Sequence, residues 1–338
     1  ARQGVPVEVL VALANELQAN PWFNVPHLAD DDLARTYAQI VHDQLAPGLV
    51  ASVEFSNEVW NWQFTQARWA EDQGKARWGQ DSTWVQFYAL RAAQVADIWA
   101  QVFKDAPDRL QRVVAVQTGW IGLEQQILDA PLVLAEGGAP PARSFDAYAV
   151  TGYFSGMLGA DAKRAPVLDW LRQSEQAAQD QVAAQGLKGA AAASFLAEHR
   201  YDLADQLAAQ EVRDGSLTGD ASDSLSTILT QVLPYHAAVA ADHGLKLVMY
   251  EGGSHVVGFG PQIEDAALAD FFVHFNYTAE MAALYAQMMA GWKTLTDQPF
   301  TAFSDVARPG KWGSWGALRH LGDDNPRWQV LAKGCLQC

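Results

Sequence analysis

The chain has 338 residues, 49% hydrophobic and 18% charged, enough for one large domain or two ordinary ones with a substantial core. Disorder is excluded by the apolar and aromatic content, and 39 acids against 23 bases give a formal charge of -16 that repels phosphate backbones, so nucleic acid is excluded as a partner. No run of roughly 20 apolar residues exists to span a bilayer, and Ala1 to Pro6 does not read as a signal peptide.

In chain order, Val7, Leu10, Val11, Ala14 and Leu17 predict a helix over 7–18 behind Pro6. Proline-bounded Pro21-Trp22-Phe23-Asn24-Val25-Pro26-His27 predicts a short strand and its exit. Asp30 to Asp32 open a second helix, acids at its positive end, running to Leu45 before Pro47-Gly48. Leu49 to Phe55 is a buried strand run that exits at Ser56-Asn57-Glu58. Residues 61–80 read as a long, partly helical loop and 82–103 as a helix. Arg112 to Gln117 is a strand, and Ile121 to Leu128 a short helix. Phe145 to Val150 is a strand that exits at Thr151-Gly152-Tyr153-Phe154.

Composition then shifts to Ala, Gln and Asp over 157–222, which predicts two or three inserted helices forming a cap between the regions 1–156 and 223–338. Leu225 to His243 reads as a helix. Lys246 to Tyr250 is a strand that exits at Glu251-Gly252-Gly253-Ser254-His255. Phe271 to Leu295 reads as one long helix. Pro299 to Ser304 is the last strand, with Trp312 and Trp315 in its exit loop. Six strands thus alternate with helices, the pattern of a parallel sheet covered by helices. No Gly-x-Gly-x-x-Gly loop follows any strand, which argues against a dinucleotide fold.

Two exits carry chemistry. Glu58 and Glu251 each lie where a buried strand emerges, and glycosidic cleavage needs such a pair: one carboxyl protonated to release the leaving oxygen, one ionised to attack or to activate water. Trp60 and Phe55 offer Glu58 an apolar surrounding that raises an acid's pKa, and Asn57 can meet a sugar 2-hydroxyl. Glu54 shares the strand parity of Glu58 and reads as a buried, paired carboxylate. Thirteen tryptophans provide flat apolar faces: Trp60, Trp62, Trp120, Trp312 and Trp315 follow strand ends as stacking candidates, whereas Trp22, Trp84, Trp99, Trp292 and Trp328 read as core.

Ser56-Asn57-Glu58 at one strand end and Tyr250-Glu251-Gly252 three strands later resemble the clan of retaining glycoside hydrolases with (β/α)8 TIM-type barrels, which includes cellulases, mannanases, xylanases and β-galactosidases. The stretch from Pro21 to Trp62 further resembles bacterial secreted members of that clan described only as cellulose-binding or hypothetical. The resemblance implies Glu58 as acid/base after strand four, Asn57 as its substrate-contacting neighbour, and Glu251 as nucleophile after strand seven. It implies Tyr153 after strand six, Trp315 or Trp312 after strand eight, and Asn24 and His27 after strand three as substrate contacts. His255 is expected to line the cleft. The helical insertion then follows strand six, where it can roof the cleft.

On that mapping one strand precedes Glu58 where the clan has three, so the first two βα units are expected to be missing, as in a processed or partial chain. The expected function is a retaining cleavage of a β-linked oligo- or polysaccharide, with carboxyl groups about 5–5.5 Å apart and no cofactor. Secreted or periplasmic placement follows from that substrate. The alternatives are a non-catalytic carbohydrate-binding protein on a degenerate barrel, and an interaction module whose aromatics pack a partner. His27, His236, His255 and His274 show no ligand spacing, so no metal is expected. Ser56 and Ser254 lack the Gly-x-Ser-x-Gly elbow of serine hydrolases. Cys335 and Cys338 read as a local disulfide or idle thiols, with half a zinc site as the rival.

Overall fold

The computed structural model of the chain describes residues 4–335, and the Cys335/Cys338 expectation lies outside the described side chains. Helix α1 (Val7–Leu17) leads to β1 (Trp22–Val25), then α2 (Asp31–Gln44) and β2 (Ala51–Phe55). Asp30 caps α2 by accepting the Leu33 N–H at 2.8 Å, an orphan donor at the helix start. The loop expected over 61–80 is mostly helix: α3 (Thr65–Trp78) pairs with α4 (Trp84–Val102) as a helical hairpin. Gly79, at φ +70°, closes α3 in the left-handed conformation that glycine adopts without strain. Strand β3 (Leu110–Ala115) follows, then α5 (Leu123–Leu128), α6 (Pro131–Ala135) and β4 (Ala147–Phe154).

Three helices come next, α7 (Asp161–Ala184), α8 (Gly189–His199) and α9 (Asp202–Asp214). Then α10 (Leu225–Thr227) passes through a π-helical stretch, Ile228–Val232, into α11 (Leu233–Asp242) and β5 (Lys246–Ser254). The chain ends with α12 (Ala266–Phe275), α13 (Ala279–Lys293) and α14 (Pro326–Cys335).

The five strands form one sheet in the order β1-β2-β3-β4-β5, with parallel pairing. The order never reverses, so the sheet has no switch point of the doubly wound kind. Strands buried on both faces must be apolar throughout. Val113 to Val116 and Ala147 to Val150 meet that demand, all at 1% exposure or less.

Contacts divide the chain into two units. The first holds Ala1–Val150 and Ala238–Val248. Its core is aromatic: Phe23 of β1, Tyr37 of α2 and Trp99 of α4 pack within 6.2 Å of one another, and Phe103, just after α4, stacks on Trp99 at 6.1 Å. The second holds Thr151–Ala237 and Met249–Cys338. In it α7 packs on α8, α9 and α12, and α13 packs on α9 and α14.

Two further expectations are corrected. The helix read over 271–295 is two helices, broken at Asn276-Tyr277-Thr278. Asn276 donates its side-chain amide to the Phe272 and Val256 carbonyls (2.8 and 3.2 Å), and Thr278 caps α13 by accepting the Met281 N–H at 3.2 Å. The sixth strand, read at 299–304, is reduced to one bridge, Gly252 to Ala302. Beyond it the backbone turns to its own exit loop: Ser304 N–H donates to the Trp315 carbonyl at 2.8 Å, and Ala317 N–H returns to the Ser304 carbonyl at 2.9 Å.

Candidate active site

In the first unit the exits of β1 and β2 are stapled together by side chains. Glu54, 2% exposed on β2, accepts hydrogen bonds from Trp22 Nε1 at 2.9 Å and Asn24 Nδ2 at 3.0 Å. A buried carboxylate demands such partners, so Glu54 is the paired, buried group expected. The Asn24 amide also donates to the Ser56 carbonyl at 2.8 Å. Asn24 thereby fixes the start of the Ser56-Asn57-Glu58 turn from below. Trp22, read as core, is half-buried and spends its indole N–H on Glu54.

That turn is strained. Ser56 and Glu58 have φ of +64° and +42°, a region L side chains avoid at a cost of about 1–3 kcal/mol each. The strain leaves Asn57 exposed between two residues that turn back toward the protein. The Asn57 carbonyl accepts from Gln66 Nε2 at 2.7 Å, and Glu58 Oε2 accepts from Asn61 Nδ2 at 2.9 Å. Asn61 is a functional neighbour that sequence reasoning missed. Its spacing of three from Glu58 was the available signal, since residues so placed across a tight turn can meet.

Glu58 lines a cleft of ≈ 720 Å³ with Trp60, Asn61, Trp62, Gln117 and Trp120. Trp60 is only 4% exposed and meets Tyr88 edge-on at 6.0 Å, so it backs the cleft wall. Phe55 stacks on the same Tyr88 at 6.5 Å. Burial and the Glu54 charge together raise the Tyr88 phenol far above its usual range, so it stays neutral. His27 packs edge-on to Trp69 at 5.4 Å, and burial lowers its pKa.

In the second unit Glu251 lies half-buried in the latter part of β5. Gly253 follows at φ +139°, where a Cβ would meet Tyr285 Oη at 2.5 Å. That close approach lets Tyr285 Oη accept the Ser254 N–H at 2.9 Å, which fixes the end of the strand. His255 stacks on Trp315 (5.3 Å, 27°), and Tyr153 lies 5.8 Å from His255 and 6.0 Å from Trp315. Phe303 adds its edge to Trp315 at 5.9 Å. One face of Trp315 is therefore covered by the imidazole. Desolvation lowers the His255 pKa and keeps that ring neutral at pH 7. Trp312 is 65% exposed, with Lys311 Nζ 4.9 Å above its ring. Trp328, read as core, is 37% exposed.

The structure thus groups Asn24, Asn57, Glu58 and Trp60 around the β2 exit, and Tyr153, His255 and Trp315 beside the end of β5. Each group joins a carboxylate-bearing strand end to aromatic rings. Among the described residues no three His, Cys, Asp or Glu gather as a metal site, and no helix is long and apolar enough to cross a membrane. No protein-family model matches the chain, and no curated protein is similar to it.

Proposed function

We propose that the protein is a retaining glycoside hydrolase acting on a β-linked oligo- or polysaccharide. The observation that carries this reading is the strained β2 exit, which presents Glu58, held by Asn61, to a cleft walled by indoles. Backbone strain of this kind gathers at functional sites, and indole faces suit the C–H faces of sugar rings. The unreversed sheet order supports a barrel of the (β/α)8 kind, with α7–α9 as its insertion. Secreted or periplasmic placement belongs to the same proposal.

In the first step a Glu251 oxygen attacks the anomeric carbon and forms a glycosyl ester. The bond to the leaving oxygen breaks as that oxygen takes the Glu58 proton. In the second step Glu58, now ionised, removes a proton from water, and the resulting hydroxide displaces Glu251 and releases the sugar with its original configuration. Asn57 binds the sugar 2-hydroxyl. Tyr153, neutral His255, Trp312 and Trp315 hold the ring on the Glu251 side, and Asn24 and His27 serve the Glu58 side.

The test is sugar release from β-glucans, mannans, xylans and aryl β-glycosides, with product anomers followed by NMR. Glu251→Gln is expected to abolish turnover and keep saccharide binding. Glu58→Gln is expected to lose polysaccharide cleavage while retaining activity on aryl glycosides whose leaving group needs no proton. Near-full activity of Glu251→Gln would overturn the nucleophile assignment. Saccharide binding with no product from the parent protein would make it a carbohydrate-binding protein instead.

A further inference from the structure

The cleft beside Glu58 holds more than the acid needs. Trp62 and Trp120 both line it, 45% and 49% exposed. Single exposed tryptophans are ordinary. These two are backed by a third, Trp84, 9% exposed, whose ring centre lies 5.1 Å from that of Trp62 and 6.2 Å from that of Trp120. Trp84 is the first residue of α4, so the helix anchors the row. Each outer indole keeps about half its surface open to the cleft and to solvent, and Ile121, 50% exposed, extends the apolar wall.

The electrostatics of the wall are specific. Among the lining residues Glu58 is the single ionisable group; the others are indoles, amides, glycine and isoleucine. A uronate or sulfate would find no cation among these residues to pair with, in a chain of net charge -16. An uncharged sugar offers C–H faces to the indoles and hydroxyls to Gln117. The cleft volume, ≈ 720 Å³, lies within the usual range of about 300–1,000 Å³ for ligand sites.

We propose that this cleft binds the leaving-group side of an uncharged β-linked polysaccharide, with separate sugar rings resting on Trp62 and Trp120. The assignment to the leaving side rests on the reading of Glu58 as the acid, because the acid sits at the oxygen that departs. An enzyme that grips several rings beyond the cut takes polymers as its substrates and gains little from short ones.

The test is calorimetric titration of the Glu251→Gln protein with uncharged β-linked gluco-, manno- and xylo-oligosaccharides from disaccharide to hexasaccharide, and with uronate-bearing chains of equal length. Affinity for at least one uncharged series is expected to rise with length. Trp62→Ala and Trp120→Ala should each weaken the hexasaccharide about tenfold, about 1.4 kcal/mol, Trp62→Phe should recover part of the loss, and Trp328→Ala should change nothing. Uronate chains should bind more weakly than uncharged ones. Titrations of both alanine variants that match the parent, equal affinity for uronate chains, or no saccharide binding at all would overturn the proposal. Parent activity on polysaccharide that both alanine variants keep in full would overturn this subsite and leave the hydrolase reading standing. Length-dependent binding lost in the variants, in a protein that releases no product, would keep the two indoles as a saccharide-binding row but overturn both its assignment to a leaving side and the hydrolase reading.

Discussion

Replacing Lys163 by Met is expected to destabilise the second unit by about 3–4 kcal/mol. Lys163 of α7 and Glu211 of α9 are 1% and 0% exposed and pair at 2.5 Å. The ammonium uses its three hydrogens on Glu211 Oε1, the Gly156 carbonyl at 2.8 Å and the Asp220 carbonyl at 2.7 Å. Glu211 also accepts from the Leu217 and Thr218 N–H groups (3.0 and 3.1 Å) and from Thr218 Oγ1 at 2.6 Å. Breaking one partner of a buried pair costs about 3–5 kcal/mol, because a charge stays buried without compensation. The three donors that remain on Glu211 place the figure in the lower part of that range. The loss is a large share of an ordinary stability of about 5–15 kcal/mol.

Urea unfolding followed by fluorescence is the assay, with Trp170, buried on α7 itself, as a local reporter. The paired change Lys163→Met with Glu211→Leu should be milder than the sum of the single changes by at least about 1 kcal/mol, the coupling expected of groups in contact. A Lys163→Met protein within about 1 kcal/mol of the parent, or strict additivity in the pair, would refute the view that this ion pair fastens the insertion to the turn after β4.

Two further outcomes follow from the site. Asn24→Ala removes donors to Glu54 and to the Ser56 carbonyl; the residue is itself exposed, so the stability loss should stay near about 1–2 kcal/mol, whereas the proposed sugar turnover should fall further as the Ser56–Glu58 turn loses its support. A variant that unfolds earlier but turns over normally would show that Asn24 does not position the turn. For pH, the His255 imidazole has a folded pKa below its ordinary 6.5. The neutral form therefore contributes stability that is fully present above pH 6.5 and is lost as pH falls through the lowered folded value. Compared with His255→Phe, the parent should lose relative stability on acidification, at most about 1.4 kcal/mol per pH unit. A pH-independent difference would contradict a desolvated imidazole.

The strands were legible because burial on both faces writes an apolar run directly into the chain, as Val113 to Val116 and Ala147 to Val150 do. The helices α7, α8 and α9 were legible as a change of composition. The break at Asn276 was hidden because apolar spacing continues through it, and the capping bonds that impose it depend on where Val256 arrives in the fold. The Pro299–Ser304 segment has strand-like residues, but pairing is decided by neighbours: the exit loop captures Ser304 where further pairing with β5 was expected. Around the cleft, the nearness of Glu58, Trp60 and Trp62 could be read from their positions in the chain. Gln117, Ile121 and the backing role of Trp84 could not, since they join the cleft only through packing of segments distant in sequence.

The turn at Ser56 and Glu58 sets durability against chemistry. Glycine or asparagine would occupy either backbone position with less tension, so a search that rewarded heat resistance alone would drift toward replacing Glu58, and would sharpen the fold while blunting whatever the carboxyl group is there to do. An uncomfortable bend is thereby one that an engineer should leave untouched.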